Sequence, residues 1–130
     1  MSEQELKDCE DMLKGLLLPD NELRKKAKYK LQQCLSQNIN KEKLTLYCSF
    51  LLLKTTDLGV QTYCAVIIRK VFLGHEKEEA NAFYKTLSPE SKNQIELNLL
   101  NSLQTITNKS LRKKIADATI SLFTAVMANE

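Results

Sequence analysis

Leu16-Leu17-Leu18-Pro19-Asp20-Asn21-Glu22-Leu23-Arg24-Lys25-Lys26-Ala27 is the stretch where one amphipathic helix stops and another starts. Upstream of it, Leu6, Cys9, Leu13, Leu16 and Leu17 recur at helical spacing, and Ser2-Glu3-Gln4-Glu5 fits the S-x-x-E capping box. Pro19 ends that stripe, because it has no amide hydrogen to give a helix. Asp20 opens the next one, since its carboxylate accepts from the free amides of a first turn. Leu23, Ala27, Leu31 and Cys34 form the second stripe.

The same opening occurs three times. Asp20-Asn21-Glu22-Leu23-Arg24, Asp57-Leu58-Gly59-Val60-Gln61 and Asn108-Lys109-Ser110-Leu111-Arg112 each hold a capping residue, two spacers, an aliphatic and a long polar side chain. The register continues through Ala27/Cys64/Ile115, Leu31/Ile68/Thr119 and Cys34/Val71/Leu122. The spacings are 37 and 51 residues, so the second gap carries 14 more. Each of these helices has a partner before it. Leu44, Tyr47, Cys48, Leu51 and Leu52 make a stripe that begins near Asn40, while Ile95, Leu99, Leu103 and Ile106 follow Ser88-Pro89-Glu90, with Ser at the cap and Pro at the first helical position. Gly74 is a natural helix end, and the extra residues hold a charged stretch, His75 to Glu79, and a short helical turn around Asn81 to Thr86.

No run keeps the alternation of a strand. The expected fold is all-α: a single right-handed α-α superhelix of HEAT/ARM type, with about three antiparallel helix pairs at 3–36, 40–73 and 88–128 and an insertion with a short helix at 74–87. An ordinary six-helix bundle with similar caps is the competing architecture.

Composition limits the function classes. With 130 residues, 43% hydrophobic, 22 leucines, three Gly and two Pro, the chain has the material for one packed core and is not a disordered tail. Phe50-Leu51-Leu52-Leu53 and Ala65-Val66-Ile67-Ile68 are far short of a bilayer span, so no membrane partner is expected. The first fifteen residues are acidic, unlike a signal or transit peptide, which points to a cytosolic start. Cys9, Cys34, Cys48 and Cys64 show no CxxC spacing and read as reduced core thiols. His75 is the sole histidine, so neither a metal nor a cofactor is expected. There is no GxGxxG, no P-loop and no Ser-His-Asp or Cys-His set, and Glu78-Glu79 lies in a presumed loop. The chain is therefore read as not an enzyme. Asn108-Lys109-Ser110 matches a glycosylation acceptor, but Asn108 is better used as a cap.

Charge alternates along the chain: residues 1–22 sum to −5, 23–30 to +5, 31–70 to +3, 71–101 to −2 and 102–130 to +2. Lys25-Lys26-Ala27-Lys28 has the form of a short nuclear localisation signal, yet it runs through an apolar stripe and is better read as a solvated helix face. Stepping 100° per residue from Ala27 puts Lys25, Tyr29 and Gln32 opposite the core. In register the second repeat offers Thr62, Val66 and Arg69, and the third Lys113, Asp117 and Ile120, which together make an inner wall suited to a protein surface carrying negative charge. Tyr29 reads equally as a partly buried neighbour of the first helix. Arg24 and Arg112 point to the flank and are expected to link neighbouring repeats through the caps Asp20, Asp57 or Asn108. A basic helical nucleic-acid-binding module is the rival from another class. A net charge of +3 and the scarcity of aromatics speak against it.

The stretch Leu16 to Ala27 resembles the first-repeat turn of the importin-β (karyopherin-β) family of nuclear transport receptors, with its leucine run, Pro-Asp turn, Arg and Ala. Val60-Gln61-Thr62-Tyr63-Cys64-Ala65-Val66-Ile67-Ile68-Arg69-Lys70 is similar to that family's second repeat, and Leu87-Ser88-Pro89-Glu90-Ser91-Lys92 through Ile95 and Leu99-Leu100 resembles the helix that follows. Leu111-Arg112-Lys113-Lys114-Ile115-Ala116-Asp117 looks like the third repeat of the importin beta-3 branch. Gln61 departs from the usual Arg, and no Trp stands between repeats two and three, where Phe83 or Tyr84 is available to fill the space.

This resemblance implies an amino-terminal fragment of a longer receptor that shuttles between cytoplasm and nucleus. It implies binding of the small GTPase Ran in its GTP form through the inner helices, with cargo proteins and nucleoporins engaged by the full-length receptor. A fragment of this kind is expected to expose an apolar end face after its third pair, through which it can self-associate. A HEAT scaffold outside nuclear transport is the remaining alternative.

Overall fold

The computed structural model describes residues 2–73 and 77–129, with the side chains of all of these except 77–81. Among the described residues there are seven helices and no strand: α1 (Glu3–Gly15), α2 (Asn21–Ser36), α3 (Asn38–Lys54), α4 (Leu58–Leu73), α5 (Lys77–Thr86), α6 (Pro89–Thr105) and α7 (Lys109–Ala128). Gly74, expected to end α4, and His75 lie outside the described residues.

The helix starts follow from local chemistry. Ser2 Oγ accepts from Glu5 N at 3.3 Å, and Ser88 Oγ accepts from Ser91 N at 3.2 Å with Pro89 behind it. Only half of the Ser2 capping box forms, because the Glu5 carboxylate accepts from the Tyr47 hydroxyl of α3 instead. Two bounds differ from the sequence expectation. α3 starts at Asn38, joined to α2 through Gln37 alone, since Asn40 is a first-turn residue whose Nδ2 donates to Gln37 Oε1 at 2.9 Å. The insertion's helix starts four residues before Asn81, at Lys77.

Three helix pairs, α1/α2, α3/α4 and α6/α7, stack in chain order, giving an all-α HEAT-type solenoid. Within and between the second and third pairs the packing is regular: α3 meets α4 and α6, α7 meets α4 and α6, and α5 lies over α4 and α7. Their register positions are closed to water, with Val60, Cys64, Ile68, Leu111, Ile115 and Leu122 all buried. Each fully buried aliphatic contributes about 1.5–3 kcal/mol, so this double layer is the stable centre of the molecule. Phe83 and Tyr84 of α5 are both buried there. Phe83 sits 5.8 Å from the Phe72 ring and beneath the Lys41 ammonium, in the space the sequence left without a Trp.

The first pair sits differently. α1 leans on both α3 and α4, whereas α2 packs on α1 and α3 and makes little contact with α4. Gly15 makes the α1/α2 crossing possible, because a Cβ there would stand 2.9 Å from Ala27 Cβ. Of the α2 stripe only Ala27 is buried; Leu31 and Cys34 are half-buried and Leu23 is 47% exposed.

Candidate partner-binding surface

The second helix of each pair carries the outward positions read from the sequence. Each is fixed by the same cap: Asp20 Oδ1 accepts from Leu23 N at 3.1 Å, Asp57 Oδ1 from Val60 N at 3.2 Å, and Asn108 Oδ1 from Leu111 N at 3.0 Å. Because caps and stripes share one register, the faces turned away from the core share it too.

On α4, Arg69 is exposed and Thr62 and Val66 are half-buried, with Thr62 Oγ1 donating to Leu58 O at 2.8 Å. On α7, Lys113 and Ile120 are exposed and Asp117 is half-buried. These two helices, which carry Thr62 and Arg69 on one and Lys113 and Asp117 on the other, pack directly on one another. Lys25, Tyr29 and Gln32 are exposed on α2, Tyr29 at 62%, so it is a surface residue and not a buried neighbour of α1. α2, which carries these three, packs on α1 and α3 and makes little contact with α4, whereas α4 and α7 pack directly on one another. Chemically the surface offers separated cations among short polar and apolar groups, which suits another protein and holds no concentrated phosphate track.

The expected arginine links take another form. Arg24 donates to Asn21 Oδ1, one turn back in its own helix, and not to the cap of a neighbouring repeat. Arg112 is exposed; its backbone N donates to Asn108 O at 2.9 Å, but among the described residues no hydrogen bond from its side chain to Asp57 or Asn108 is formed. Both side chains sit on solvent-facing flanks, where water competes for the guanidinium. Gln61, in the same register position, does form a link, but inside its pair: its Nε2 donates to Leu52 O at 3.2 Å and Thr55 O at 3.1 Å, closing the carbonyl end of α3.

The contacts that do join successive pairs are ones the sequence did not single out. Glu42 of α3 receives Ser88 N at 3.0 Å and Ser91 Oγ at 3.3 Å, which places a carboxylate at the amino end of α6. Asn98 of α6 donates through Nδ2 to the buried Ser49 Oγ of α3 at 3.0 Å.

The cysteines also meet. Cys9, Cys48 and Cys64, from α1, α3 and α4, are buried close enough to perturb one another, and Cys34 stands near Cys9 at the edge. The Cys9 thiol is pushed far above its ordinary range, first by the hydrogen bond with Cys48 and then by burial. Cys48 is raised likewise, first by its bond with Cys64, and Cys34 is raised mainly by burial. Among the described residues no three His, Cys, Asp or Glu side chains stand where they could hold a metal ion, and no helix is long and apolar enough to cross a membrane.

No family model matches the sequence, and no curated protein matches it. Among solved structures, one of Kap95p with Ran, in which Kap95p binding induces the switch loops of RanGDP to adopt the GTP-bound conformation, contains a chain that matches 100% of this one at a TM-score of 0.75 and 24% identity. This chain spans 15% of the length of that one. The likeness shows the fold alone, and nothing in it singles out the importin beta-3 branch.

Proposed function

We propose that this chain is a HEAT segment of an importin-β-type nuclear transport receptor, that it binds Ran in its GTP form, and that it acts in nucleocytoplasmic import by protein–protein contact and not as an enzyme. The observation that carries the reading is the match of the whole helical stack to a chain of the Kap95p–Ran structure, together with the outward cations Arg69 and Lys113 on two adjoining helices. On this reading Lys25, Tyr29 and Gln32 add a second, separate patch, cargo and nucleoporins are engaged elsewhere in the receptor, and the protein moves between cytoplasm and nucleus. The beta-3 branch is the finer assignment that Leu111 to Asp117 favours.

The same reading gives the far side of α6/α7 to a further helix pair, or to a second copy when the chain is alone. Leu100 and Phe123 stand in the register of Ser49 and Phe72, one 51-residue step later. Ser49, which meets Asn98 of α6, and Phe72, which meets Phe83 of α5, are 0% and 3% exposed, against 43% and 37% for Leu100 and Phe123.

Titration calorimetry against Ran loaded with GTP and with GDP, with duplex RNA as a control, tests the proposal. Binding selective for the GTP form and weakened by Arg69→Ala or Lys25→Ala supports it. Silence toward both nucleotide states, with RNA binding that falls steeply as salt rises, replaces it with the nucleic-acid reading.

A further inference from the structure

The half-open stripe of α2 borders a cleft. α1 ends against α2 at Gly15 and Ala27, α2 runs directly into α3 through Gln37, and α1 leans back onto α3 at Tyr47, so the three helices form a triangle around a space of about 830 Å³. Cys9, Met12, Ala27, Cys34, Leu44 and Tyr47 give it an apolar lining. Such a volume is within the range of about 300–1,000 Å³ found for ligand sites.

Two observations indicate what fills it. The first is charge. One side carries Glu5, Asp8 and Asp11 of α1, the other Lys26 and Lys30 of α2 with Lys43 of α3, and no ion pair among the described residues joins the two sides. An anionic membrane or a nucleic acid would be repelled by the acidic side, so neither suits the cleft. The second is length and period. The α2 wall runs from Leu23 to Cys34, about 16 Å at 1.5 Å per residue, and its charges repeat every three or four residues, as do those of α1.

We propose that this cleft is the docking groove for an amphipathic helix of a partner protein, one whose apolar stripe is edged by Lys or Arg along one side and Asp or Glu along the other. Its apolar side chains cover Leu23 and Cys34, which their counterparts Val60 and Val71 show to be core positions elsewhere in the stack. Its cations face Asp8 and Asp11, and its anions face Lys26 and Lys30. The mode is helix-in-groove recognition. It uses a side of α2 other than the one bearing Lys25, Tyr29 and Gln32, so it stands independently of the Ran reading.

The probe is a set of three fluorescein-labelled helical peptides of about sixteen residues with the same leucine stripe: one with an arginine edge and a glutamate edge, one with two arginine edges, one with two glutamate edges. Exchanging the two edges of the first is no control, because a helix that reverses direction in the groove exchanges them itself. Anisotropy titrations with the full chain are expected to favour the mixed peptide by about tenfold over either other. In Lys26→Glu/Lys30→Glu both sides become acidic, and preference is expected to pass to the two-arginine peptide; Asp8→Lys/Asp11→Lys passes it to the two-glutamate peptide. Three equal affinities, or a preference that the double variants leave unchanged, overturn the proposal. So do amide shifts on peptide addition that fall on α6 and α7 instead of α1 and α2.

Discussion

Glu42 of α3 closes the amino end of α6 through Ser88, with Oε1 accepting from Ser88 N at 3.0 Å while Oε2 accepts from Ser91 Oγ at 3.3 Å. A carboxylate there satisfies a free amide and faces the positive end of the helix dipole. Glu42→Ala is expected to lower stability by about 1–2 kcal/mol in urea denaturation and Glu42→Gln by about half as much, since the amide keeps an acceptor but loses the charge. Hydrogen exchange at Ser91 and Lys92 should rise in both. Unchanged protection at α6 would mean that the third pair does not depend on this link.

Two glycines in similar-looking places are expected to answer oppositely to alanine. A Cβ at Gly15 would meet Ala27 Cβ at 2.9 Å, an atom fixed to the α2 backbone, so Gly15→Ala must force the helices apart. A Cβ at Gly59 would meet Leu17 Cδ1 at 2.7 Å, the far end of a flexible side chain that is 43% exposed, with Leu17 Cδ2 and Asp57 Oδ1 each at 3.3 Å. Gly59→Ala should therefore be neutral or gain up to about 1 kcal/mol from helix propensity, while Gly15→Ala should lose about 1–3 kcal/mol. Thermal melts of the two variants make the comparison, and equal shifts would contradict the account of the α1/α2 crossing.

Much of this arrangement is written locally, and that is why it could be read. Asp20, Asp57 and Asn108 cap within three residues of themselves, and apolar residues at a 3.6 period mark which face of each helix is buried. What periodicity leaves out is what covers that face: Leu23, Leu31 and Cys34 have the same pattern as Val60, Ile68 and Val71, yet α2 is held by Gly15 and by its one-residue junction to α3, away from α4. Glu42 lies 46 residues from Ser88 and has no motif around it. The wall positions Thr62, Arg69, Lys113 and Asp117 are assigned by a register whose helices, α4 and α7, do pack on one another, whereas Lys25, Tyr29 and Gln32 take theirs from α2, which makes little contact with α4.

The thiols give a chemical readout of the same packing. Reaction follows the thiolate, and burial with thiol–thiol hydrogen bonding disfavours it at Cys9 and Cys48. In the native chain near pH 8, iodoacetamide is expected to reach Cys34 first and slowly, since it is half-buried at the cleft, and to leave Cys9, Cys48 and Cys64 unmodified until denaturant is added. Peptide mass mapping decides. Early labelling of Cys9 would mean that α1 opens from α3 on the timescale of the reaction.

Tyr47 ties α1 to α3 through the hydrogen bond it donates to the Glu5 carboxylate, and its hydroxyl is pushed up to about 12, mainly by burial and next by that bond. A group whose pKa is higher folded than unfolded stabilises the fold fully below the unfolded value, near 10, and loses that contribution as pH rises toward the folded one. Stability should therefore fall between about pH 10 and 12 more steeply in the parent chain than in Tyr47→Phe, which has no proton to lose. Urea midpoints across that window test it, and parallel slopes would count against the bond.

Asn98 and Ser49 make the one buried side-chain pair between α3 and α6 among the described residues, and the cost of breaking it should depend on which half is removed. Ser49 Oγ donates to Leu46 O at 2.6 Å and accepts from Asn98 Nδ2 at 3.0 Å, while Asn98 Oδ1 accepts from Gln94 Nε2 at 2.8 Å. Ser49→Ala strands a buried amide donor and is expected to cost about 1–3 kcal/mol. Asn98→Leu replaces the donor with an apolar group of similar size and leaves a hydroxyl that still has Leu46 to bond. In the double variant both partners are gone, so much of the single-variant loss should return, giving a coupling of about 1 kcal/mol or more in a double-mutant cycle. One 51-residue step along the register, Tyr47 stands where Asn98 does and Leu100 where Ser49 does, so the pair is not repeated and marks this interface alone. If the two changes prove additive, the pair is only a local contact; if they couple, it fixes how the third helix pair is set on the second.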